Sequence, residues 1–385
     1  MKLVFLTNYI NHHQVPLADE FYKLLGEDYS FVATTEISEW RKKLGYPDFS
    51  DRSYLVSAYK SDDLKKKAIQ LAYDADVVIV GSASNEYVIE RIKAGKITFR
   101  YNERWFKSRP WYLSGPRAWI DFYKNHIRFK NKPLYMLAAS AYTANDAYAI
   151  GAYKNKVYKW GYFTAVPDKF KVETPDLSVS TSENGCTIMW CSRFLKLKHP
   201  ELPIKLAAKL KADGYKFTID MYGIGEELEN TKKLVSELNV EDVVSFRGTL
   251  PNQEILAEMR SHDIFLFTSD KNEGWGAVLN ESMSNGCAVV ASNRIGATPF
   301  LVKDGENGLI FESENIDSLY EKVKLLLDNV ELRKRISINA CKTMSEIWNP
   351  QNAAIRFIKL VEALQAGKDT PFTDGPCSKA YPCKY

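Results

Sequence analysis

Asn272-Glu273-Gly274-Trp275-Gly276-Ala277-Val278-Leu279-Asn280-Glu281-Ser282-Met283-Ser284-Asn285-Gly286 follows the apolar run Ile264–Phe267, and its pattern changes from strand to helix across the glycines. Two glycines at the opening let a ligand approach the backbone closely. The unpaired N–H groups of a helix start attract anions. Glu273 and Glu281 flank the turn with seven residues between them. Eight helical steps rise about 12 Å, an upper figure because the first residues belong to a loop. A nucleoside diphosphate sugar has a span of that order from hexose to ribose, and a carboxylate at each end can accept hydrogen bonds from hydroxyl pairs. Glutamates at such a spacing are commonly solvated, so the reading depends on what surrounds them.

A second strand-to-loop junction supplies that context. It reads Trp190-Cys191-Ser192-Arg193-Phe194-Leu195-Lys196-Leu197-Lys198-His199-Pro200. In open α/β sheets, ligands bind outside the carboxyl ends of the strands. Arg193 and Lys198 at such an end can neutralise a diphosphate, one with a forked donor and the other as a point charge. A solvated basic loop is the plainer alternative, since Lys196 is also present. Met221-Tyr222-Gly223-Ile224-Gly225-Glu226 is a strand end with a glycine turn. No complete G-x-G-x-x-G follows it, and the first strand ends in Asn8-Tyr9-Ile10-Asn11, so a nicotinamide or flavin enzyme is disfavoured.

Working outward, apolar runs alternate with amphipathic stretches in both halves. Leu3–Leu6, Val77–Val80, Lys96–Tyr101 and Leu134–Ala138 read as strands, with helices at Pro16–Leu25, Ser61–Tyr73 and Asn85–Ala94. Continuous apolar strands separated by helices indicate a parallel sheet covered on both faces. Pro167–Gly185 has weak periodicity and reads as a linker. Beyond it, strands are expected at Thr187–Cys191, Phe217–Tyr222, Val243–Phe246, Ile264–Phe267, Ala288–Ala291 and Gly308–Phe311. Helices are expected near 200–212, 226–238, 252–261 and 275–285, then Ile316–Leu327, Val330–Met344 and Asn352–Gln365. The fold class is α/β, two Rossmann-like domains in tandem, over 1–170 and 171–348. A last helix occupies 349–366 and an irregular tail 367–385.

Composition narrows the function classes. The chain has 385 residues, 45% hydrophobic and 26% charged, near a globular average. No apolar run reaches the roughly 18 residues a spanning helix needs. The opening Met1–Thr7 is too short for a signal peptide, so the expected compartment is the cytoplasm. The six cysteines and five histidines show no metal spacing. Asp74-Ala75-Asp76 matches a metal-binding D-x-D formally, but it precedes Val77–Val80 and reads as a helix-to-strand junction. The net charge of +4 is unevenly spread, because residues 91–170 hold 16 basic and 4 acidic side chains. That excess points to an anionic partner. Aromatics and cations interleave over 101–130, a mix that could stack bases, yet no nucleic-acid motif is present.

Taken together, these motifs resemble a retaining GT-B glycosyltransferase, most closely glycosyltransferase family 4 (glycosyl transferases group 1). Arg193-x4-Lys198 resembles the family's phosphate pair, Tyr222-Gly223-Ile224-Gly225 its glycine turn, and Phe246-Arg247-Gly248-Thr249-Leu250 its nucleobase-side segment. Glu273-x7-Glu281 resembles its signature, and Gly296, Asp304-Gly305 and Gly308 its downstream glycines. The likeness covers nearly the whole second domain. It is weaker in the first, at Ser140-Ala141-Tyr142, Asp146 and Asp168-Lys169-Phe170.

The resemblance implies two domains facing a central cleft, with the last helix crossing back to the first. It implies retaining transfer of a hexose-type sugar from a nucleotide-sugar donor, commonly a UDP-sugar, to a saccharide or lipid-linked saccharide in polysaccharide or glycoconjugate assembly. Arg193 and Lys198 are then expected on the diphosphate and Glu281 on the ribose. Glu273, the amides of Gly274, Trp275 and Gly276, and the adjoining Val278 are expected on the sugar. Gly223, Arg247, Gly248, Thr249 and Leu250 are expected on the nucleotide. No cofactor and no metal is expected. In the first half, His12 and His13 follow the first strand and Asn102, Glu103 and Arg104 the strand ending at Tyr101. One histidine could face the diphosphate or position the acceptor hydroxyl, with capping or packing of the next helix as the plainer reading. Asn102, Glu103 and Arg104 are further cleft candidates, and His13 is favoured for catalysis. Asn11-His12-His13 stands where the family has a glycine-rich loop. The basic aromatic stretch suggests peripheral contact with an anionic membrane. A nucleotide-sugar epimerase of the same fold and a basic nucleic-acid-binding protein are the alternatives.

Overall fold

The computed structural model describes residues 1–39, 47–107, 114–167 and 185–383. The linker between Pro167 and Gly185, Asp168-Lys169-Phe170, and Ser108–Tyr112 of the basic aromatic stretch lie outside the described residues. The chain forms two compact units, Met1–Ala165 with Trp348–Lys384, and Val166–Ile347.

The first unit is built on a seven-stranded parallel sheet. Its strands are β1 (Leu3–Thr7), β2 (Tyr29–Ala33), β3 (Leu55–Ser57), β4 (Val77–Val80), β5 (Thr98–Asn102), β6 (Leu134–Ala138) and β7 (Val157–Lys159), in the order β3-β2-β1-β4-β5-β6-β7. Every residue of β1 and β4 is buried, as apolar strands covered on both faces require. The sequence reading has no β2, β3 or β7. β3 and β7 are three-residue edge strands, too short to show a period. β2 follows a 3-10 turn over Gly26–Asp28 and carries a serine in its apolar run. The single helix expected over Asn85–Ala94 is a 3-10 turn, Asn85–Tyr87, and a short helix, Ile89–Lys93. Val88 between them, at φ −130°, is off helical geometry. Helices at Pro116–Asn125 and Thr143–Ala149 also went unread.

The second unit holds a six-stranded parallel sheet of β8 (Cys186–Cys191), β9 (Phe217–Tyr222), β10 (Val244–Gly248), β11 (Ile264–Phe267), β12 (Ala288–Ser292) and β13 (Leu309–Phe311), in the order β10-β9-β8-β11-β12-β13. All six agree with the sequence reading to within two residues at each end. The core runs from Ile188 and Trp190 through Ile219, Ile264 and Val290 to the helix residues Leu206, Leu319 and Ile336. The helix expected to reach Met344 stops at Lys342 and continues as one π turn, Thr343–Ile347.

The chain re-enters the first unit at Trp348. Helix Pro350–Gln365 puts the fully buried Phe357 against Phe21, Phe99 and Trp160, at ring distances of 5.7, 5.0 and 5.8 Å. Beyond Gly367 the tail lies antiparallel beside β7. Cys377 N and Ala380 N donate to Lys159 O and Val157 O, and Lys159 N donates to Ser378 O. These bonds pair the outer edge of the sheet, which would otherwise template association.

Candidate active site

Each sheet reverses its strand order once, between β1 and β4 and between β8 and β11. At such a switch point the loops leave in opposite directions and open a crevice at the carboxyl ends. Two of the segments singled out from sequence leave the second sheet there. Arg193 and Lys198 follow β8, and Glu273 follows β11.

In the second unit Lys198 Nζ is ion-paired to Glu273 Oε2, and both side chains are largely buried. The cation read for the phosphate and the carboxylate read for the sugar therefore share one spot. Arg193 is exposed at the end of β8. Its turn is stitched to the glycine turn, since Ser192 N donates to Tyr222 O (3.1 Å) and Phe194 N to Ile224 O (2.9 Å). Gly223 has φ +130°, and a Cβ there would overlap the Ser192 carbonyl. Its lack of a side chain thus serves protein–protein backbone packing that sets the Arg193 turn, where the sequence reading placed ligand contact. Gly223 N donates to Gly248 O (2.7 Å), which brings the Gly248–Leu250 segment alongside. The side chain of Arg247 bonds Asp220 (2.9 Å), and Asp220 also receives His262 (3.2 Å). The guanidinium therefore braces the β9–β10 edge.

The loop after β11 is shaped by Gly276. It caps the helix Ala277–Ser284 at φ +88°, and a Cβ would lie 2.5 Å from the Phe267 ring. The Trp275 side chain is fully buried, and its Nε1 donates to Asn280 Oδ1 (2.8 Å). It anchors the loop in the core, so only its backbone can meet a ligand. Gly274 is buried and Val278 half-buried. Glu281 sits in the second helical turn, where burial pushes its carboxyl up to about 7. Burial likewise pushes the neighbouring Cys191 thiol up to about 12, with Glu281 raising it further and Lys198 opposing. Cys191, Lys198, Glu273 and Glu281 thus converge, whereas sequence reasoning had no signal for Cys191.

The first unit has its own cavity of about 510 Å³ at the carboxyl ends of β1, β4, β5 and β6. His13, Asn102, Glu103 and Arg104 line it. Glu103 accepts from Lys107 Nζ (2.6 Å) and Tyr162 OH (2.8 Å). Behind it, Asp146 accepts from the amides of Trp105 and Phe106 (2.6 and 3.0 Å) and pairs with the buried Arg104 (3.6 Å). This brace fixes the loop that carries Glu103. Tyr162 and Lys107 were missed as site residues, because neither stands in a recognisable pattern.

The His12 and His13 rings lie 3.9 Å apart, tilted by 48°, and His13 lies parallel to Tyr162 (6.0 Å, 14°). Burial, reinforced by His12, pushes His13 down to about 3. It is a neutral imidazole near pH 7, suited to hydrogen bonding. A neutral ring can accept a hydrogen bond or a proton, and a general base works best with a pKa near the operating pH. Among the described residues, His13 Nδ1 is buried without a hydrogen-bond partner, as is Gln14 Oε1.

The D-x-D match is structural. Asp74 accepts from Gln70 Nε2 and Asp76 from Lys2 N, at the junction of helix Asp62–Asp74 with β4. Among the described residues, no group of three or more His, Cys, Asp or Glu side chains is arranged to hold a metal ion. No helix there is long and apolar enough to cross a membrane.

Known proteins bear on this geometry. Residues 179–343 match the family of glycosyl transferases group 1. An uncharacterized glycosyltransferase of Methanocaldococcus jannaschii is 28% identical over 183 residues, which are 47% of this chain and 46% of that protein. The N-acetylgalactosamine-N,N'-diacetylbacillosaminyl-diphospho-undecaprenol 4-alpha-N-acetylgalactosaminyltransferase of Campylobacter jejuni is 31% identical over 162 residues, 42% of each chain. The chain spans less than half the length of these curated relatives. Anabaena Alr3699/HepE in complex with UDP superposes with a TM-score of 0.66 over 95% of this chain and 100% of that one, at 16% identity. That likeness establishes the GT-B fold.

Proposed function

From a chain whose residues 179–343 are a glycosyl transferases group 1 region, we propose a glycosyltransferase that moves a hexose-type sugar from a UDP-sugar to a saccharide or lipid-linked saccharide, with retention at the anomeric carbon. The observation that carries this reading is the convergence of Lys198, Glu273 and Glu281 at the β8/β11 switch point, with Arg193 on the same β8 loop. A pair of cations there stabilises the charge that develops on a departing diphosphate. Glu281 then takes the ribose hydroxyls. Glu273, released from Lys198 as the phosphates arrive, takes the sugar. The choice of UDP is supported by its presence in the complex of the similarly folded HepE.

The acceptor is assigned to the first unit's cavity, whose Glu103, Tyr162 and neutral His13 suit a polyhydroxylated ligand. A lipid-linked acceptor is supported by the undecaprenol in the name of the Campylobacter relative. It is also supported by helix Pro116–Asn125, which buries no residue and exposes Ile120 and Tyr123 beside Arg117 and Lys124. Apolar and cationic side chains on one helix suit the headgroup level of an anionic membrane. The reaction is assigned to protein residues alone, with the two cations on the phosphate in place of a metal.

The test is thermal stabilisation by UDP, GDP and ADP, followed by UDP release from UDP-sugars with and without a saccharide acceptor. UDP at 100 times its dissociation constant should add about 2.7 kcal/mol of stability. Release should need the acceptor, survive EDTA, and give a product with the donor's anomeric configuration by NMR. Conversion of the UDP-sugar to its epimer without acceptor and without net UDP release would point to an epimerase. Absence of stabilisation by all three nucleotides would remove the donor site.

A further inference from the structure

His199 ends the 3-10 turn Lys196–Lys198 in the left-handed region, at φ 48° and ψ 57°. A side chain other than glycine is uncommon there. Its ring is largely buried and is met by carboxylates from three separate segments. Nδ1 lies 2.8 Å from Glu201 Oε1, at the start of helix Glu201–Ala212. Nε2 lies 3.6 Å from Asp270 Oδ2, on the loop after β11, and 3.8 Å from Glu314 Oε1, beyond β13. These last two are ion-pair distances, longer than hydrogen bonds.

Asp270 is itself fixed. Its carboxylate accepts from Asn272 N and Nδ2 (2.8 and 3.1 Å), its N–H donates to Leu197 O (3.0 Å), and its carbonyl accepts from Glu273 N (3.1 Å). Thr268, two residues earlier, donates its hydroxyl to Lys198 O (2.6 Å). The turn carrying Lys198 and the loop carrying Glu273 are therefore joined by Asp270 N–H to Leu197 O and by the Thr268 hydroxyl, and the His199 ring adds a further side-chain link beside the Lys198–Glu273 pair.

We infer that His199 is a positioning residue, whose ring clasps the Lys198 turn to the Asp270–Glu273 loop and so aims the Lys198 ammonium at the donor diphosphate. The inference rests on the assignment of Arg193 and Lys198 to that diphosphate. A clasp of this kind orders the cation before the ligand arrives, which lowers the cost of immobilising it on binding.

The clasp is electrostatic and so depends on pH. Asp270 first and Glu201 second raise the imidazole, burial opposes them, and Glu314 adds, with the net result about 9. Lys205 faces Glu201 from the same helix. A histidine raised above its unfolded value is a cation below the folded pKa and neutral above it. The clasp is therefore intact at pH 7 and released as pH rises through about 9.

The experiment measures UDP affinity by calorimetry from pH 7 to 10 for the full chain, the His199→Asn variant and the Glu314→Gln variant. Asparagine tolerates the left-handed turn and cannot carry the charge. The ratio of wild-type to variant affinity cancels the titration of UDP, which is common to both measurements. The expected ratio for H199N is about tenfold at pH 7, the scale of one charge-assisted contact, falling to near one by pH 10. Glu314 is mostly exposed, so E314Q should fold normally and move the wild-type decline to lower pH. An H199N affinity equal to wild type, a ratio that stays constant with pH, or an E314Q decline at the wild-type position would each overturn the inference. Wild-type protein that binds no UDP at pH 7 would overturn the donor assignment itself, and the clasp with it.

Discussion

Lys198 and Glu273 neutralise each other, and a donor bound as proposed must exchange that pairing for its own charges. The two cations proposed for the diphosphate consequently differ in what their removal does. Arg193→Ala removes an exposed side chain, and its stability should change by no more than about 0.5 kcal/mol. Lys198→Ala leaves Glu273 largely buried without its partner and should cost about 1–3 kcal/mol of stability. Each should lose roughly 2–4 kcal/mol of transition-state stabilisation, read as kcat/KM with saturating acceptor. Near-normal turnover in the double variant would remove the phosphate assignment. Glu281 supplies a separate signature. Its carboxyl is pushed up to about 7 by burial, so between its unfolded pKa and about 7 the folded state binds more protons than the unfolded one. Stability at this site therefore falls as pH rises through that window and levels off above it. Glu281→Gln should remove that decline, making the variant more stable than wild type at pH 8, by denaturant unfolding, while weakening UDP binding. Parallel unfolding curves at pH 5 and pH 8 would contradict the assignment.

At the scale of elements, each loop of the proposed donor site is set by a contact with another element. The Arg193 turn rests on the glycine turn after β9, and that turn rests on β10 through the bond from Gly223 N to Gly248 O. Gly223→Ala would drive a methyl into the Ser192 carbonyl at a backbone angle that favours glycine. The expected cost is about 1–3 kcal/mol for the strained backbone, with UDP affinity lost alongside, because the displaced turn carries Arg193. Differential scanning calorimetry and UDP titration of the same preparation test it. Unchanged stability with lost affinity would instead place Gly223 in direct contact with ligand. The first unit has an equivalent device in Asp146, which gathers the amides of Trp105 and Phe106 and the Arg104 guanidinium to hold the loop bearing Glu103.

For the molecule as a whole, the chain leaves the first unit near Ala165 and returns at Trp348, whose ring stacks on Phe163 (6.2 Å, 15°), close to the point of departure. The return supplies Phe357 to the core and a tail that pairs the β7 edge. The basic excess of residues 91–170 falls in this unit, which ends its first stretch at Ala165. Part of it lies with Ile120 and Tyr123 on helix Pro116–Asn125, while Trp105 and Trp119 turn toward Phe122 (5.4 and 5.9 Å). Membrane contact is therefore expected through Ile120, Tyr123, Arg117 and Lys124, with those two tryptophans behind. The protein should sediment with anionic vesicles at low salt and release at high salt, since such binding is screened. Replacing Ile120 and Tyr123 by serine should weaken it several-fold. Failure of the wild type to sediment at low salt, together with full activity on a soluble saccharide, would leave a soluble acceptor.

The sequence by itself determined the second unit almost completely. Its buried strands are continuous apolar runs, and runs such as Ile264–Phe267 announce themselves without reference to neighbours. The order of Arg193, Lys198, the glycine turn and Glu273-x7-Glu281 along the chain likewise pointed to a nucleotide sugar. Only the tertiary structure decided what these residues do to one another. The Lys198–Glu273 pair joins positions 75 residues apart, Gly223 answers to a carbonyl on another loop, and His199 takes its charge from Glu201, Asp270 and Glu314 on three segments. In the first unit the edge strands β3 and β7 exist because β2 and β6 offer them hydrogen bonds, a condition no local pattern encodes. Spacing along the chain records which side chains share one element. Distance across the fold, burial and the charge of facing groups are properties of the packed molecule, and at this site they set which carboxylate is paired and which histidine is neutral.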